Sequence, residues 1–455
     1  MTMWSALRQM SASAERPGRG QGEALSAPGS DEALCPRLEA EDTGPGLLAA
    51  VLARENMQQA MKQVRSNKGA AGIDGLGIDE TAERLMWEWP ALREQLLLGT
   101  YRPQPVLRVM IPKSDGDQRE LGIPTVTDRL IQQALLQVLQ PLLDPTFSQH
   151  SYGFRPGRSA HQAVQAAQAY VQSGRRVVVD VDLEKFFDRV HHDILIDRLR
   201  KRVPDAGVIR LVRAYLTSGI MAGGVFRERM EGTPQGGPLS PLLANVLLDE
   251  VDKQLEQLGH RFVRYADDAN VYVRSRRAGK RVMAQLRKLY GRLRLTVNEG
   301  KSAVSSVFQR KFLGYSFWVA PGGKIRRRVA DKAMATFKQR VRQLTRRSGG
   351  RSLEQVVERL RSYVLGWKAY FRLAETPKVW KELDQWIRHR MRAIQLKQWQ
   401  RGRTAYRELQ ARGASPEVAS MVAGNYRRLW RNSGQALNAA LGISWADQLR
   451  IPRLC

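Results

Sequence analysis

The adjacent aspartates Asp267 and Asp268 constrain this chain more than any other feature of its sequence. They stand inside a β-rich segment, Arg264-Tyr-Ala-Asp-Asp-Ala-Asn-Val-Tyr-Val273. The apolar flanks predict two strands over residues 261 to 274, joined by a short turn with both carboxylates at its tip. Adjacent carboxylates repel each other, so a bound cation is one reason to present both together. The alternative is an ordinary surface turn, because aspartate is a favoured turn residue.

A second acidic strand end favours the cation-binding interpretation. Residues 176 to 181 form a short apolar β run that ends just before Asp182, and two such strand ends can face each other across one sheet. Mg²⁺ prefers oxygen ligands, and two such ions roughly 3.5 to 4 Å apart can activate a primer 3′-hydroxyl and stabilise leaving pyrophosphate. We therefore predict a catalytic, metal-binding triad of Asp182, Asp267 and Asp268, with Mn²⁺ as the alternative ion.

The net charge indicates a polyanionic partner. It is +30 at pH 7, far more than solubility requires, and phosphate backbones are the commonest partner of so basic a surface. Residues 321 to 455 hold 30 Lys and Arg against 9 Asp and Glu. Nucleic acid is therefore the first expectation and an anionic membrane the second, while a solvated helical face is the alternative for the basic region.

Cysteine usage and hydropathy exclude several classes of protein. The two cysteines, Cys35 and Cys455, can build neither a disulfide framework nor a cysteine-based zinc site. No apolar run approaches the roughly 20 residues of a membrane span, and the first residues lack the apolar core of a signal peptide. We expect a soluble, cytoplasmic, nucleoid-associated protein without a membrane partner.

The chain reads as an α+β part followed by an all-α part. Residues 1 to 45 have the Ser, Ala, Gly and Pro content of a disordered extension. Residues 105 to 122 alternate around a turn at 114 to 117, which predicts a β-hairpin, and residues 127 to 143 show a helical apolar pattern. Helical patterns dominate after residue 330.

Five motifs resemble those of the group II intron reverse transcriptases, in that family's order and over about residues 50 to 320. They are Gly122-Ile-Pro124 with Asp128-Arg129, Ser151-Tyr-Gly-Phe-Arg-Pro156, Gln235-Gly-Gly-Pro-Leu-Ser-Pro241, Tyr265-Ala-Asp-Asp268 and Phe312-Leu-Gly-Tyr315. Each motif alone is weak, and all five together are highly specific. The resemblance implies a right-hand polymerase with an antiparallel palm sheet.

The resemblance also implies the domain organisation. The expected parts are a disordered extension (1–45), fingers and palm (46–325), a helical thumb or maturase-specific domain (326–402) and a small, basic, DNA-binding-like region (403–455). Many relatives continue into an HNH endonuclease domain. This sequence has neither the cysteines nor the paired histidines of that domain, so we expect a bacterial-type member without it.

Roles in nucleotide binding follow from the same resemblance. Lys113 and Arg119, which flank the fingertip turn, would grip the incoming dNTP triphosphate, although a solvated hairpin is the alternative. Phe186 would be the steric gate against a ribose 2′-hydroxyl, and as a bare sequence feature it would be core. Gln235 would contact the nucleotide sugar or simply lie in a helix-initiating turn. Lys301 would lie near the leaving phosphates.

The basic last third looks suited to structured RNA. Six of the ten tryptophans lie between residues 367 and 445, interleaved with arginines, and aromatic rings stack on unpaired bases. Residues 361 to 372 resemble the thumb segment of the family. For Trp367, Trp386 and Trp430 we predict helix-packing core instead. The predicted RNA or DNA contacts are Arg155, Arg158, Lys368, Arg388, Arg390, Arg392, Arg401, Arg403 and Arg407.

The resemblance thus implies an RNA-directed DNA polymerase that copies intron RNA with dNTPs from a DNA primer or target. It would also bind its parent group II intron RNA to assist splicing and mobility. Two alternatives are a domesticated reverse transcriptase in defence or DNA repair, and a splicing-only maturase with a vestigial polymerase site. The intact acidic and dNTP-binding residues argue against the second. The sequence leaves the oligomeric state open.

Overall fold

The computed structural model describes residues 46–112, 118–222, 225–227, 231–233 and 236–455. The predicted disordered extension, residues 1 to 45, lies outside these ranges. Within them, all strands precede residue 330 and the segments that follow are helical. This distribution confirms the α+β fold class with a helical region after it.

The elements are numbered here in chain order. The described strands are β1 Val106–Pro112, β2 Gln118–Ile123, β3 Val177–Val181, β4 Ile220–Ala222, β5 Val225–Arg227, β6 Arg261–Tyr265, β7 Asp268–Val273, β8 Ala303–Ser306, β9 Lys311–Phe312, β10 Tyr315–Val319 and β11 Ile325–Val329. The described α-helices are α1 Leu47–Val51, α2 Arg54–Asn67, α3 Ile78–Leu98, α4 Val126–Leu143, α5 Ala160–Gln172, α6 His192–Arg200, α7 Ala206–Thr217, α8 Ser240–Gln257, α9 Arg276–Arg292, α10 Asp331–Leu344, α11 Leu353–Phe371, α12 Pro377–Gln398, α13 Gly402–Ala411, α14 Pro416–Gly424, α15 Leu429–Asn432 and α16 Ile443–Gln448.

The chain forms two compact units, each made of several segments. Of the residues described above, the first unit contains those within Met1–Ser159, Val181–Val271 and Lys280–Ala303, and the second contains those within Ala160–Asp180, Tyr272–Gly279 and Val304–Cys455. The domain boundaries expected at residues 325 and 402 stay predictions. None of the helices in the described ranges is long and apolar enough to span a membrane.

The predicted hairpin over residues 105 to 122 is present as β1 and β2. The two strands pair antiparallel from Leu107 opposite Ile123 to Pro112 opposite Gln118, and the predicted turn lies outside the described residues. Cross-strand pairs such as Arg108 with Glu120, 2.8 Å apart, stabilise this register. The hairpin belongs to a four-stranded sheet with the order β2-β1-β4-β5.

The motif that spans Gly122 to Arg129 builds the start of helix α4. Thr125 caps the helix, because its hydroxyl accepts a hydrogen bond from the backbone N–H of Asp128 at 3.1 Å. The Asp128 carboxylate accepts from the Thr125 hydroxyl and from the Tyr101 hydroxyl, each at 2.7 Å. Burial raises the pKa of Asp128, and these hydrogen bonds oppose that rise. The motif therefore has a structural role at the base of the β1–β2 hairpin.

A second four-stranded sheet, with the order β6-β7-β3-β8, positions the acidic residues. Every residue of β7 after Asp268 is buried, and so are Val178, Val179 and Val181 of β3. Such largely apolar, β-rich segments are typical of strands whose two faces are both covered, which is why their positions could be predicted. Because β7 and β3 are neighbours, Asp268 and Asp182 lie at the ends of adjacent strands.

The second unit has an aromatic core. Trp367 is buried and lies against the rings of Phe337, Phe371 and Trp380, with centroids 4.1, 4.7 and 5.3 Å away. The prediction that Trp367 is core is therefore confirmed. The same prediction is wrong for Trp430, which is 42% exposed.

Candidate active site

The predicted hairpin with the adjacent aspartates is formed by β6 and β7. Ala266 and Asp267 make its two-residue turn, and β7 begins at Asp268. Ala266 has a φ of 58°, a left-handed conformation that short hairpin turns require. Asp267 is half-buried and Asp268 is exposed, so the turn presents two carboxylates with different surroundings.

The buried side chain of Arg264 holds the Ala266–Asp267 turn in place. The guanidinium of Arg264 donates to both carboxylate oxygens of Asp252, with distances of 2.6 to 2.9 Å. It also donates to the side-chain oxygen of Asn245 and to the backbone carbonyl of Ala266, both at 2.9 Å. Arg264 and Asp252 are each 1% exposed. Burial raises the pKa of Asp252, and the charge of Arg264 opposes that rise.

The Ser151–Pro156 motif forms the neighbouring wall of the hairpin. Its backbone runs beside β6: Tyr152 donates to the carbonyl of Arg264, and Arg264 donates to the carbonyl of His150, both at 2.9 Å. Gly153 approaches the turn so closely that a Cβ at this position would lie 2.2 Å from the backbone nitrogen of Ala266. The motif therefore needs glycine there to let the turn come near.

We expect Gly153→Ala to displace the aspartate turn and to lower primer extension by at least about tenfold. The added methyl group meets backbone rather than a flexible side chain, and a shift of 1 Å in a reacting group can reduce a rate about a hundredfold. The measurement is single-turnover extension by the purified variant. Gly291→Ala is the matched control, because nothing lies within 4 Å of its added Cβ; equal rates for both variants would contradict this prediction.

The loop between α9 and β8 holds the backbone at Asp182. Asn298 donates to the carbonyl of Asp182 at 2.8 Å, and the hydroxyl of Ser302 accepts from the Asp182 N–H at 3.0 Å. Lys301 lies between these two residues and is exposed. The fold therefore places the predicted phosphate-binding lysine in the loop that is hydrogen-bonded to the backbone of the predicted metal ligand.

The acidic residues offer the donor chemistry that Mg²⁺ prefers, namely carboxylate oxygens on two neighbouring strands. Among the residues described, no group of three or more His, Cys, Asp or Glu side chains is close enough together to hold a metal ion. The carboxylates of Asp182, Asp267 and Asp268 are thus placed on adjacent elements, without forming a closed protein cage. Their assignment as metal ligands stays a prediction.

The predicted steric gate, Phe186, is buried. It lies in a short 3₁₀ turn after Asp182, is 2% exposed, and packs edge-to-face on Phe187 with a centroid distance of 5.1 Å. This environment agrees with the core interpretation of the residue. The gate role would require the ring to border the nucleotide, and it stays a prediction.

Part of the predicted dNTP site lies outside the described structure. Lys113 and Gln235 are not among the described residues, and for Arg119 only the backbone is described, paired with Ile111. The glycine after Gln235 is informative. Gly236 has a φ of 130°, and a Cβ there would lie 2.7 Å from the carbonyl of Gly122. Two of the five motifs therefore meet at the end of β2.

The prediction that Arg155 contacts nucleic acid is corrected by the structure. Its side chain is 3% exposed and forms an ion pair with Asp144 at 2.8 Å. It also donates to the backbone carbonyls of Asp144, Ser148 and Ser151. The guanidinium is therefore committed inside the protein, where it organises the start of the Ser151–Pro156 motif. Arg158 is half-buried and lies over the ring of Tyr152.

Arg392 is a second correction in the predicted RNA-binding set. It is 4% exposed, and its guanidinium donates to Leu441, Gly434 and Asn438. Burial lowers the pKa of Arg392 to about 10. This side chain ties helix α12 to the C-terminal segment and is not available to a phosphate.

The other predicted contacts of the second unit differ in exposure. Arg401, Arg403 and Arg407 are exposed, whereas Arg388 and Arg390 are half-buried. Lys368 is half-buried and donates to the carbonyl of Arg453 at 3.1 Å. Arg401, Arg403 and Arg407 are therefore the members of the predicted set best placed for a phosphate contact.

The comparisons with known proteins agree with this architecture. Residues 111–317 match the family model described as "Reverse transcriptase (RNA-dependent DNA polymerase)", and this range contains the sheet β6-β7-β3-β8 and the aspartate turn. Residues 334–413 match the model described as "Group II intron, maturase-specific domain". Over these two ranges the chain therefore resembles the group II intron reverse transcriptases and maturases.

The relatives include proteins from two bacteria. Protein YkfC of Escherichia coli (strain K12) is 39% identical over 217 residues, which cover 46% of this chain and 57% of YkfC. The group II intron-encoded protein LtrA of Lactococcus lactis subsp. cremoris is 36% identical over 256 residues, which cover 55% of this chain and 41% of LtrA. The chain thus spans about half the length of these curated relatives. A solved "Partial Cas6-RT-Cas1--Cas2 complex" is 27% identical with a TM-score of 0.36, covering 55% of this chain and 43% of that one.

Proposed function

We propose that this chain is an RNA-directed DNA polymerase that transfers nucleotides with two divalent metal ions. The observation that carries the proposal is the placement of three carboxylates at the ends of neighbouring strands: Asp182 after β3, Asp267 in the turn, and Asp268 at the start of β7. The match of residues 111–317 to the reverse transcriptase model supports it.

The three aspartates would coordinate the metal ions. The buried guanidinium of Arg264 would fix the turn that presents Asp267 and Asp268. Asp182 and Asp267 are the proposed principal ligands, with Asp268 as the third carboxylate. Two bound Mg²⁺ ions would supply activation of the primer 3′-hydroxyl and neutralisation of the leaving pyrophosphate. A polymerase Mg²⁺ site uses one or two protein carboxylates and completes its coordination with substrate phosphates and water. Carboxylates on two adjacent strands therefore suffice on the protein side.

The remaining residues would bind and select the nucleotide. Lys113 and Arg119 would grip the triphosphate, and Lys301 would lie near the leaving phosphates. Gln235 would contact the sugar. Phe186 would border the 2′ position, with the adjacent Phe187 as its substitute if Phe186 proves to be core only.

Purified protein should extend a DNA primer on an RNA template when dNTPs and Mg²⁺ are present. Excess EDTA should stop extension, and added Mg²⁺ or Mn²⁺ should restore it, because the carboxylates alone cannot activate the 3′-hydroxyl. The measurement is product length on a denaturing gel. A protein that binds the RNA yet never extends the primer would instead support the splicing-only maturase.

We also propose that the second unit binds the parent group II intron RNA, assists its splicing and takes part in mobility into a DNA target. The match of residues 334–413 to the maturase-specific model supports the proposed RNA binding. The charge supports it too, because residues 321 to 455 contain 30 basic and only 9 acidic residues. So high a charge would also hold the protein at the nucleoid. A domesticated relative in defence or repair would share the polymerase chemistry and would not need the intron RNA.

The exposed arginines of helix α13 should carry part of this RNA affinity. Arg403 and Arg407 are four residues apart, so they share one face of the helix, and Arg401 stands at its N-cap. Replacing all three with glutamine should lower the log-log salt slope of intron RNA binding by up to about 2 to 3, since each lost phosphate contact removes about 0.7 to 0.9. Extension on a short, saturating primer-template should largely survive.

The matched control for this charge change replaces Lys62, Arg65 and Arg84 with glutamine. All three are exposed residues on helices of the first unit, so the total charge falls by the same amount. Equal salt slopes for the two triple variants would contradict a localised RNA contact. Loss of both RNA binding and extension in the α13 variant, with a changed circular dichroism spectrum, would indicate misfolding.

A further inference from the structure

A basic cavity lies inside the second unit, beside the turn that follows helix α10. It has a volume of about 430 Å³ and is bordered by Thr345, Arg346, Arg347, Arg390, Lys397 and Trp430 among its lining residues. This volume lies within the range of small-ligand sites in proteins. Four of these residues are cations, and the lining contains no Asp or Glu.

No acidic residue in the part of the chain that the structure describes neutralises the charges in this cavity. None of the four cations forms an ion pair with any residue that the structure describes. Burial lowers the pKa of Arg390, and the neighbouring charges of Arg342 and Arg347 lower it further. A concave, uncompensated group of cations attracts an anion, because low-dielectric walls concentrate its field.

Arg390 is held in place by the end of helix α10. Its Nε donates to the hydroxyl of Thr345 at 2.6 Å, and one Nη donates to the backbone carbonyls of Arg342 and Thr345, each at 3.3 Å. Arg390 and Arg342 also lie over the ring of Trp386, with distances of 5.5 and 5.6 Å to its centroid. A cation fixed in this way loses little side-chain freedom when an anion binds.

Trp430 gives the cavity an aromatic wall that is also held in place. Its ring stacks on that of His389 with a centroid distance of 3.8 Å and an interplanar angle of 17°, and its carbonyl accepts from His389 Nε2 at 2.9 Å. Even so, the side chain remains 42% exposed. Trp430 differs from other exposed aromatic residues because it borders the basic cavity, and every nucleobase has a face that can stack on an indole.

We infer that this cavity binds one unpaired nucleotide of a single-stranded polynucleotide, with its phosphate among the four cations and its base against Trp430. The inference rests on the proposed RNA-binding role of the second unit and assigns one defined subsite to it. A duplex does not fit, because its bases are stacked on each other and cannot reach an indole inside a cavity. RNA and single-stranded DNA share the required chemistry and are separated by experiment.

The test is fluorescence anisotropy with the full chain and labelled 12-nucleotide oligo(rA), oligo(dA) and a 12-base-pair RNA duplex. Trp430→Ala should weaken oligo(rA) binding by at least about fivefold, since base–aromatic stacking typically contributes that much or more per base. Duplex affinity should change less than twofold. Trp430→Phe should restore part of the loss, and Trp87→Ala, at a tryptophan that is 78% exposed in the first unit, should have no effect.

A charge variant tests independently whether the cations of the cavity contact the phosphate. Arg346→Gln with Arg347→Gln should flatten the log-log salt slope for oligo(rA) by about 0.7 to 1.4, because each lost contact to a single strand removes about 0.7. Lys378→Gln with Lys381→Gln removes the same charge from exposed residues of α12 that do not border the cavity. That control should leave the slope unchanged.

Several outcomes would overturn the inference. One is an equal log-log salt slope for the two double variants. Another is an unchanged affinity of Trp430→Ala for oligo(rA). A third is binding of 5′-AMP as tight as that of the oligonucleotide, which would make the cavity a free-nucleotide site. Stronger binding of oligo(dA) than of oligo(rA) would assign the subsite to DNA. A wild-type chain that binds oligo(rA) through Trp430 but never extends a primer would refute the polymerase proposal and leave the subsite intact.

Discussion

Replacing Asp267 or Asp182 with asparagine is expected to abolish primer extension, with a loss of at least about three orders of magnitude. Asparagine keeps the shape of the side chain but removes the negative charge that holds a divalent cation. Metal ions supply several kcal/mol of transition-state stabilisation, and each 1.36 kcal/mol corresponds to about a tenfold change in rate. The measurement is single-turnover extension on an RNA template at saturating primer-template.

The control for this substitution is Asp79→Asn, which makes the same chemical change at an exposed ion pair with Arg65. It should extend primers at the wild-type rate. RNA binding by the Asp182 and Asp267 variants should stay within a few-fold of normal, because the basic residues are untouched. Full extension by the double variant Asp182→Asn, Asp267→Asn would end the polymerase proposal.

The second large effect is expected at Arg264. Arg264→Met leaves the carboxylate of Asp252 buried without its partner, and breaking a buried ion pair in this way costs about 3 to 5 kcal/mol of folding free energy. The variant also loses the hydrogen bond to the carbonyl of Ala266, which fixes the aspartate turn. We therefore expect a lower urea midpoint for the transition of the first unit, together with loss of primer extension.

The pH dependence identifies the cause of this destabilisation. Burial raises the pKa of Asp252 and Arg264 opposes the rise, so removing the guanidinium should raise it further. The folded variant then binds a proton that the unfolded chain releases, and its stability falls as the pH rises above the unfolded pKa of aspartate. The loss of folding stability relative to wild type should therefore become smaller as the pH is lowered toward the unfolded pKa of aspartate.

A second substitution separates folding from positioning. Arg264→Met with Asp252→Leu removes both charges, and exchanging a buried ion pair for apolar residues is often close to neutral for stability. This double variant should regain much of the urea midpoint and should still extend primers poorly, because the turn has lost its support. Arg84→Met, at an exposed ion pair with Glu88, is the matched control and should change stability by less than about 0.5 kcal/mol. Full activity in the double variant would refute the positioning role of Arg264.

Sequence reasoning missed this arginine as a functional residue, although its signal was present. Arg264 follows the apolar residues Phe262 and Val263 in a strand that the β-rich sequence predicted. A charged residue that is buried together with such apolar neighbours requires a buried partner of opposite charge. Nothing local indicates that the partner is Asp252 on helix α8 rather than another acidic residue.

By itself, the sequence determined the elements whose evidence is local. The aspartate hairpin, the hairpin over residues 105 to 122 and the helix predicted over residues 127 to 143 all appear within a few residues of their predicted positions. Their alternating or helical patterns encode which faces are apolar, and that information lies within a dozen neighbouring residues. The motifs likewise carried the resemblance to the group II intron reverse transcriptases, because their order along the chain is a property of sequence.

Only the tertiary structure decided which charged and aromatic side chains are exposed. Arg155 and Arg392 belong to a residue type that is usually at the surface, yet both are buried. Carbonyls of the preceding residues Asp144, Ser148 and Ser151 accept from the guanidinium of Arg155. Carbonyls of Gly434 and Leu441, 42 and 49 residues away, accept from that of Arg392. Trp367 and Trp430 are the same residue type in the same basic region, and one is core while the other forms the wall of a cavity. Burial depends on which segments pack around a side chain, and that packing is set by contacts between residues far apart in the chain.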